Sequence, residues 1–386
     1  MLCRLVTTLI RAGYFLLFGK LHRLWTRTNE ENMDKLKKFD LTRQVEKDGE
    51  TYFALGTSAD FWKGKWIKEN GIAISVAVKV IRSLPHGQDE RYKRMKFKVI
   101  REASILCKLN HPHITPFYGI SFDFGRPDSP CLVYPFYESG DLMSYLQANP
   151  QADRLRLICQ VASGLAYLHG MNPPVVHGDI KGSNILVNDS GHACLADFGL
   201  GRLTEVQGFT TNHVGGTCRW MAYELIYDDG EEPVKHTTQS DVWAFGMTVL
   251  EILTGKAPFS HLSYDASVIF YIVRGRKPRQ PEEIQDKVWS ILCQCWAQDP
   301  RERPTMSITA FYLDFMFTRT PSPEECKRLL GLLAVEDGLD VATDKIPRGS
   351  VHPVIYCNWP SCSQTFTTLE NCQEHEEQHW DLLLSP

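Results

Sequence analysis

The run from Val175 to Gly199, VVHGDIKGSNILVNDSGHACLADFG, brings Asp179, Lys181, Asn184 and Asp197 close together in the chain. Phosphoryl transfer needs a carboxylate to orient the attacking hydroxyl, and oxygen ligands to hold magnesium on the phosphates. One short segment supplies candidates for both tasks. A second chemistry-bearing set lies near the other end. Cys357, Cys362, His375 and His379 follow the spacing C-x4-C-x12-H-x3-H. Zinc takes four such ligands in a tetrahedron, and histidines four apart share one helix face.

These groups need elements to place them. Ser75–Ile81 reads SVAVKVI, a β-branched run in which Lys79 points opposite to Val78 and Val80. REASILCKL carries Glu102 on a predicted helix whose core-facing stripe is Ile105, Leu106 and Leu109. SDVWAFGMTVLEILTGKAPF is apolar at helical spacing and reads as core around Asp241. With 386 residues, 43% apolar and 23% charged, the chain can form one or two globular domains with tails. The net charge of −4 does not point to nucleic acid. Twelve cysteines, mostly single in apolar context, read as small buried hydrophobes in a chain without a clear secretory signal.

HGDIKGSN, the following ADFG, the VAVK around Lys79 and GGTCRWMAYEL together resemble a eukaryotic protein kinase. The resemblance covers about Leu41–Phe317. It implies an α+β, bilobal protein kinase fold, with a β-rich N-lobe and a helical C-lobe. It implies ATP and Mg2+ (or Mn2+) as cofactors and protein hydroxyls as substrates. Asp179 becomes the catalytic base, assisted by Lys181, and Asn184 and Asp197 become magnesium ligands. Lys79 becomes the phosphate-pairing lysine, held by Glu102. The nucleotide contacts become Gly56, Phe61, Ala77, Pro135, Tyr137 and Leu186, with Tyr134 as gatekeeper. Glu224 is implied to pair with Arg303, Thr217 to sit by the substrate hydroxyl, and Asp241 to hold the catalytic-loop backbone. Lys181 resembles serine/threonine kinases. HGDIKGSNILV, with DLTRQVEKDGE upstream, looks most like the tyrosine-kinase-like serine/threonine group as expanded in fungi.

The sequence also departs from the family. In ALGTSADF only Gly56 of the glycine-rich loop remains, with Ala54 and Ala59 at the outer positions. Tyr223 replaces a proline. Gly178 stands where an arginine usually senses a phosphorylated activation loop. This predicts that phosphorylation of Thr210 or Thr211 is not required for activity. These departures keep a rival open, a pseudokinase scaffold that binds nucleotide or partners without turnover.

The predicted domains are a basic amphipathic segment (1–40), the kinase domain (41–317), a linker (318–350) and a finger with tail (351–386). From Met1 to Thr28 the chain has Arg4, Arg11, Lys20, Arg23 and Arg27 and no acid. Three readings stay open there: a helix or tail on the domain, a helix lying on a membrane surface, or a mitochondrial transit segment. Localisation is accordingly read as cytoplasmic, with the membrane surface and the mitochondrion as alternatives. The C-terminal segment resembles a single ββα C2H2 zinc finger binding Zn2+, with Phe366 at its aromatic core position. Its helix offers Thr368, Asn371 and Glu374 to a partner. Residues 351–386 contain no Lys or Arg, so phosphate neutralisation fails, and a structural cap or a protein-contacting module is expected rather than a DNA reader.

Overall fold

Alternation of β-branched and polar residues from Val45 onward produces one antiparallel sheet of six strands. These are β1 (Val45–Lys47), β2 (Ala54–Leu55), β3 (Ala59–Ile67), β4 (Ala73–Ile81), β5 (Gly119–Ser121) and β6 (Cys131–Pro135). Their order is β1-β3-β4-β6-β5, with β2 paired to β3. The computed structural model describes residues 33–55, 59–81, 90–125, 129–197, 217–227, 235–317, 355–356 and 365–366. The period of two on β4 sets the two faces of the sheet. Val76 and Val78 are buried on one face with Leu41, Val45, Phe124, Cys131 and Val133. Lys79 belongs to the opposite face, paired in register with Phe61 on β3 and Leu132 on β6.

Between β4 and β5 runs α1 (Glu90–Leu106), which carries Glu102. Its buried side chains include Val99, Ile100, Ala103 and Leu106, a helical i, i+1, i+4, i+7 stripe. Ile105 is a correction to the expected stripe: it is 37% exposed. It sits about 100° around the helix from Leu106, away from the face that packs.

The helical part comprises α2 (Leu142–Ala148), α3 (Arg154–His169), α4 (Tyr223–Ile226), α5 (Thr238–Thr254), α6 (Asp265–Val273), α7 (Asp286–Cys295) and α8 (Met306–Phe317). The short pair β7 (Ile185–Val187) and β8 (Ala193–Leu195) lies between α3 and α4. Caps are written in the sequence. Asp141 accepts from the Met143 and Ser144 N–H groups, and Asp153 from Arg156 N–H. Thr237 and Ser240 form a reciprocal capping box on α5, and Gly255 ends that helix at φ +68°. From Ser240 to Ile252 α5 is buried on every side. It packs against α3 and α7, and α3 also packs against α8. Each Leu, Ile or Phe buried here contributes about 1.5–3 kcal/mol.

The chain divides into two units, Met1–Thr320 and Pro321–Pro386. In the second, β9 (Ile355–Tyr356) pairs antiparallel with β10 (Thr365–Phe366). Cys357, Cys362, His375 and His379 lie outside the described residues, as do residues 1–32 and the linker. Among the described residues no helix is long and apolar enough to cross a membrane. Nor does any group of three or more His, Cys, Asp or Glu among them suit a metal.

Candidate active site

The loop between α3 and β7 is hung on a buried acid. Asp241, on the first turn of α5, is 1% exposed. Its Oδ2 accepts from His177 N–H at 2.7 Å and its Oδ1 from Gly178 N–H at 2.7 Å. His169 Nε2 lies 3.0 Å from the same carboxylate. Gly178 adopts φ +81°, the left-handed region that glycine enters without strain. A glycine here therefore relaxes the turn before Asp179.

His177 is fully buried. Its Nε2 stands 2.9 Å from the Ala196 carbonyl, and its Nδ1 accepts from Asp179 N–H at 3.3 Å. Those two bonds define a neutral imidazole with the proton on Nε2. Burial lowers the His177 pKa, against the opposing pull of the Asp241 charge.

Asp179, Lys181 and Asn184 converge. Lys181 Nζ lies 2.9 Å from Asp179 Oδ2 and donates to Thr217 Oγ1 at 3.2 Å. Asn184 Nδ2 donates to the Asp179 carbonyl and to Asp179 Oδ2, both at 2.7 Å. Both bonds use the amide nitrogen, which leaves Asn184 Oδ1 uncommitted to Asp179. Ile180, between the two polar residues, is buried and pins the loop.

Lys79 is 3% exposed and forms an ion pair with Asp197. At Tyr134 the charges of Glu102, the expected partner of Lys79, and of Asp197 add to the larger effect of burial. All three raise the tyrosine pKa well above its ordinary value. Burial alone would raise the Asp197 carboxyl, but the Lys79 ammonium overrides it and the net direction is down. Asp197 holds φ +59°, unusual for a non-glycine residue and the kind of local strain that gathers at functional sites.

The remaining predicted contacts flank this cluster. Ala77 pairs with Tyr134 and Val76 with Pro135 across β4 and β6, placing the start of the hinge on the sheet. The Tyr137 carbonyl accepts from Gly140 N–H at 3.2 Å, and burial raises its phenol pKa. Leu186 bridges to Asp141 on the floor. Lys79 Nζ is 5.5 Å from the Phe61 ring centroid. Gly56 lies outside the described residues.

Several contributors were not legible beforehand. Phe53 meets Phe136 edge-on at 5.1 Å and Phe61 at 6.4 Å, an aromatic group at the edge of the sheet. Glu251 on α5 is 7% exposed. Its Oε2 accepts from Gly182 N–H at 2.9 Å and from Trp220 Nε1–H at 3.0 Å. Burial raises its pKa, partly offset by those bonds. A Cβ at Gly182 would stand 2.5 Å from Met143 Cγ and 3.0 Å from Glu251 Oε2, so a side chain there would displace Met143. The implied partner of Glu224 is found as expected: Arg303 makes a two-pronged pair with it, at 2.7 and 2.8 Å. The only signal for Glu251 was an acid within an apolar helical run.

Two carboxylates and an amide oxygen beside a buried ammonium suit a magnesium-bound polyphosphate. Comparison with known proteins agrees. Residues 50–312 match the family described as protein tyrosine and serine/threonine kinase. The mouse tyrosine-protein kinase receptor TYRO3 is 27% identical over 320 residues, covering 77% of this chain and 33% of that protein. The putative serine/threonine-protein kinase/receptor R818 of Acanthamoeba polyphaga mimivirus is 34% identical over 245 residues, covering 63% and 14%. Mouse tyrosine-protein kinase Mer is 27% identical, covering 78% and 30%. The chain thus spans about a third or less of the length of these relatives. Its match across the whole catalytic region shows that the chain belongs to the protein tyrosine and serine/threonine kinase family.

Proposed function

We propose that this chain is an ATP-dependent serine/threonine protein kinase of the tyrosine-kinase-like group. The observation that carries the reading is Lys181 bridging the Asp179 carboxylate and the Thr217 hydroxyl, at 2.9 and 3.2 Å. An acceptor hydroxyl placed at that bridge meets a carboxylate that takes its proton and an ammonium that neutralises the transferred phosphoryl. Asp179 orients the hydroxyl and receives the proton. Lys79, on its rigid strand, meets the α- and β-phosphates, and the hinge from Pro135 to Tyr137 meets the base. Magnesium, when bound, would be held by Asp197 and Asn184 Oδ1 and would spread the charge of the transferring group.

The test is transfer of labelled phosphate from ATP with magnesium to serine, threonine and tyrosine peptides, wild type beside Asp179→Asn. Label on serine or threonine, lost in the variant, is expected. Label on tyrosine alone would move the chain to the other specificity. Equal label from wild type and variant, or none from either, would leave the pseudokinase scaffold. One observation favours that second reading: Lys79 is engaged by Asp197 directly.

We also propose that Cys357, Cys362, His375 and His379 hold zinc in a module that contacts protein. Stoichiometric zinc in the full chain, lost with Cys357→Ser, is the expected result. Absence of zinc from the wild type would reject it.

A further inference from the structure

A cavity of about 190 Å³ opens between the end of α5 and the loop that precedes α7. Lys256, His261 and Arg279 line it, with Ser260 and a single carboxylate, Glu283. All five are exposed. Among the described residues no ion pair engages Lys256 or Arg279. The cavity therefore holds two fixed cations, one group that can accept a proton and a hydroxyl, against one acid. Its apolar side includes Phe259, which is buried and sits at φ +54°, so the loop is held in a strained turn.

What holds that turn ties it to the acceptor site. Arg219 donates to the carbonyls of Pro258, Phe259 and Leu262 at 3.1, 3.0 and 3.0 Å. It also pairs with Asp265 at 3.2 Å. Arg219 lies two residues after Thr217, the hydroxyl bonded to Lys181. On the other side α6 abuts the cavity, with Tyr271 against Phe259 at 5.7 Å and against His261 at 5.9 Å. The same helix region exposes Tyr264 (76%) and Phe270 (56%). Exposed aromatics beside a charged cavity are the composition of a polypeptide contact. Arg219 thus fastens the segment that bears Thr217 to the loop that lines the cavity.

We propose that this cavity is an exosite for a phosphorylated side chain of the protein substrate. A phosphate carries about −1.5 to −2 charge and three acceptor oxygens, against one charge and two oxygens for a carboxylate. It therefore matches two cations and a hydroxyl better than Asp or Glu does. That the ligand is a substrate rests on the kinase activity proposed for the chain; the binding step does not.

The experiment is anisotropy of the full chain, without nucleotide, against a degenerate peptide pool carrying one fixed phosphoserine. The same pool with serine or aspartate at that position, and inorganic phosphate as competitor, complete the set. The phosphoserine pool is expected to bind about tenfold tighter than the serine pool. The double variant Lys256→Ala, Arg279→Ala is expected to abolish that difference, and Arg279→Glu alone to invert it. The proposal is overturned if the pools bind alike, or if aspartate matches phosphoserine. It is equally overturned if the variants keep the preference, or if inorganic phosphate competes as well as the peptide. Because binding is read without turnover, an inactive chain with intact phosphopeptide preference would reject the kinase reading and keep the exosite.

Discussion

Asp241→Asn is the sharpest probe of the catalytic loop. The change is nearly isosteric at a position 1% exposed, so packing is kept and only hydrogen bonding alters. Two backbone donors face the two carboxylate oxygens, His177 N–H and Gly178 N–H, each at 2.7 Å. An amide offers one oxygen, so one of these donors must face an NH2 group. A hydrogen bond to a charged acceptor contributes about 1.5–3 kcal/mol, and the bond that remains loses its charge assistance. The loss should total about 2–4 kcal/mol, a large share of an ordinary 5–15 kcal/mol net stability. In a domain of this size the melting temperature should fall by about 3–7 °C. Asp179 follows Gly178 directly, and a misplacement of about 1 Å at a reacting group lowers rate by about a hundredfold. The assay is kcat and KM for ATP well below the variant's melting temperature, beside a calorimetric scan. A fall in kcat with KM for ATP nearly unchanged is expected, because Lys79 and the hinge lie on the sheet. Wild-type kcat together with wild-type melting would refute the view that Asp241 sets the loop.

Lys181→Ala removes the bridge between Asp179 and Thr217. It should lower kcat by about 10²–10⁴ while leaving ATP affinity, read by isothermal titration, within a few-fold. Arg303→Ala strands Glu224 beside α4 and should destabilise by about 3–5 kcal/mol in urea unfolding, whereas a surface pair would register below about 1. His177 has its folded pKa lowered, so the unfolded chain takes up the proton first. Its contribution is complete above the unfolded value of about 6.5 and is lost as pH falls below it. Unfolding free energies at pH 8 and pH 5.5 should show a steeper fall for wild type than for His177→Asn.

Local pattern and tertiary placement divide what the sequence could say. The faces of β4 follow from a period of two, so Lys79 could be set opposite Val78 without knowing any partner. The spacing of Asp179, Lys181 and Asn184 kept them on one turn, and the structure brings them within hydrogen-bond reach of one another. Ile105 escaped because a stripe drawn from three residues was anchored one position off; Val99 and Ile100, earlier on the same helix, fix the buried face. Glu251 escaped for a different reason. Its partner Gly182 is 69 residues away in the chain, so no local pattern marks it. The Phe53–Phe136 contact is likewise a meeting of separate elements. Gly178 was readable as a missing arginine, but its left-handed backbone was visible only in three dimensions.

Helix α5 explains why two acids survive in a buried apolar run. A buried carboxylate is tolerated only where its oxygens are bonded, and both acids on α5 satisfy this with groups from elsewhere in the chain. Asp241 takes the backbone of residues 177 and 178, and Glu251 takes Gly182. Ten residues of helix separate the two acids by about 15 Å, a distance fixed by the helix itself. Asp179 and Lys181 lie on the strip of chain between these attachments. The loop is therefore held at both ends by one rigid element, and releasing either end frees the middle. A double-mutant cycle tests this. If the attachments act together, Glu251→Gln and Asp241→Asn should each lower kcat, and the double variant should lose less than the product of the two losses. If the losses simply multiply, the two acids act independently and the loop is not suspended between them. Glu251→Gln also separates geometry from charge. Burial raises the Glu251 pKa, so the folded state keeps its proton longer and loses stability as pH rises above the ordinary carboxylate range. The glutamine variant should lose this dependence in unfolding free energy measured across pH.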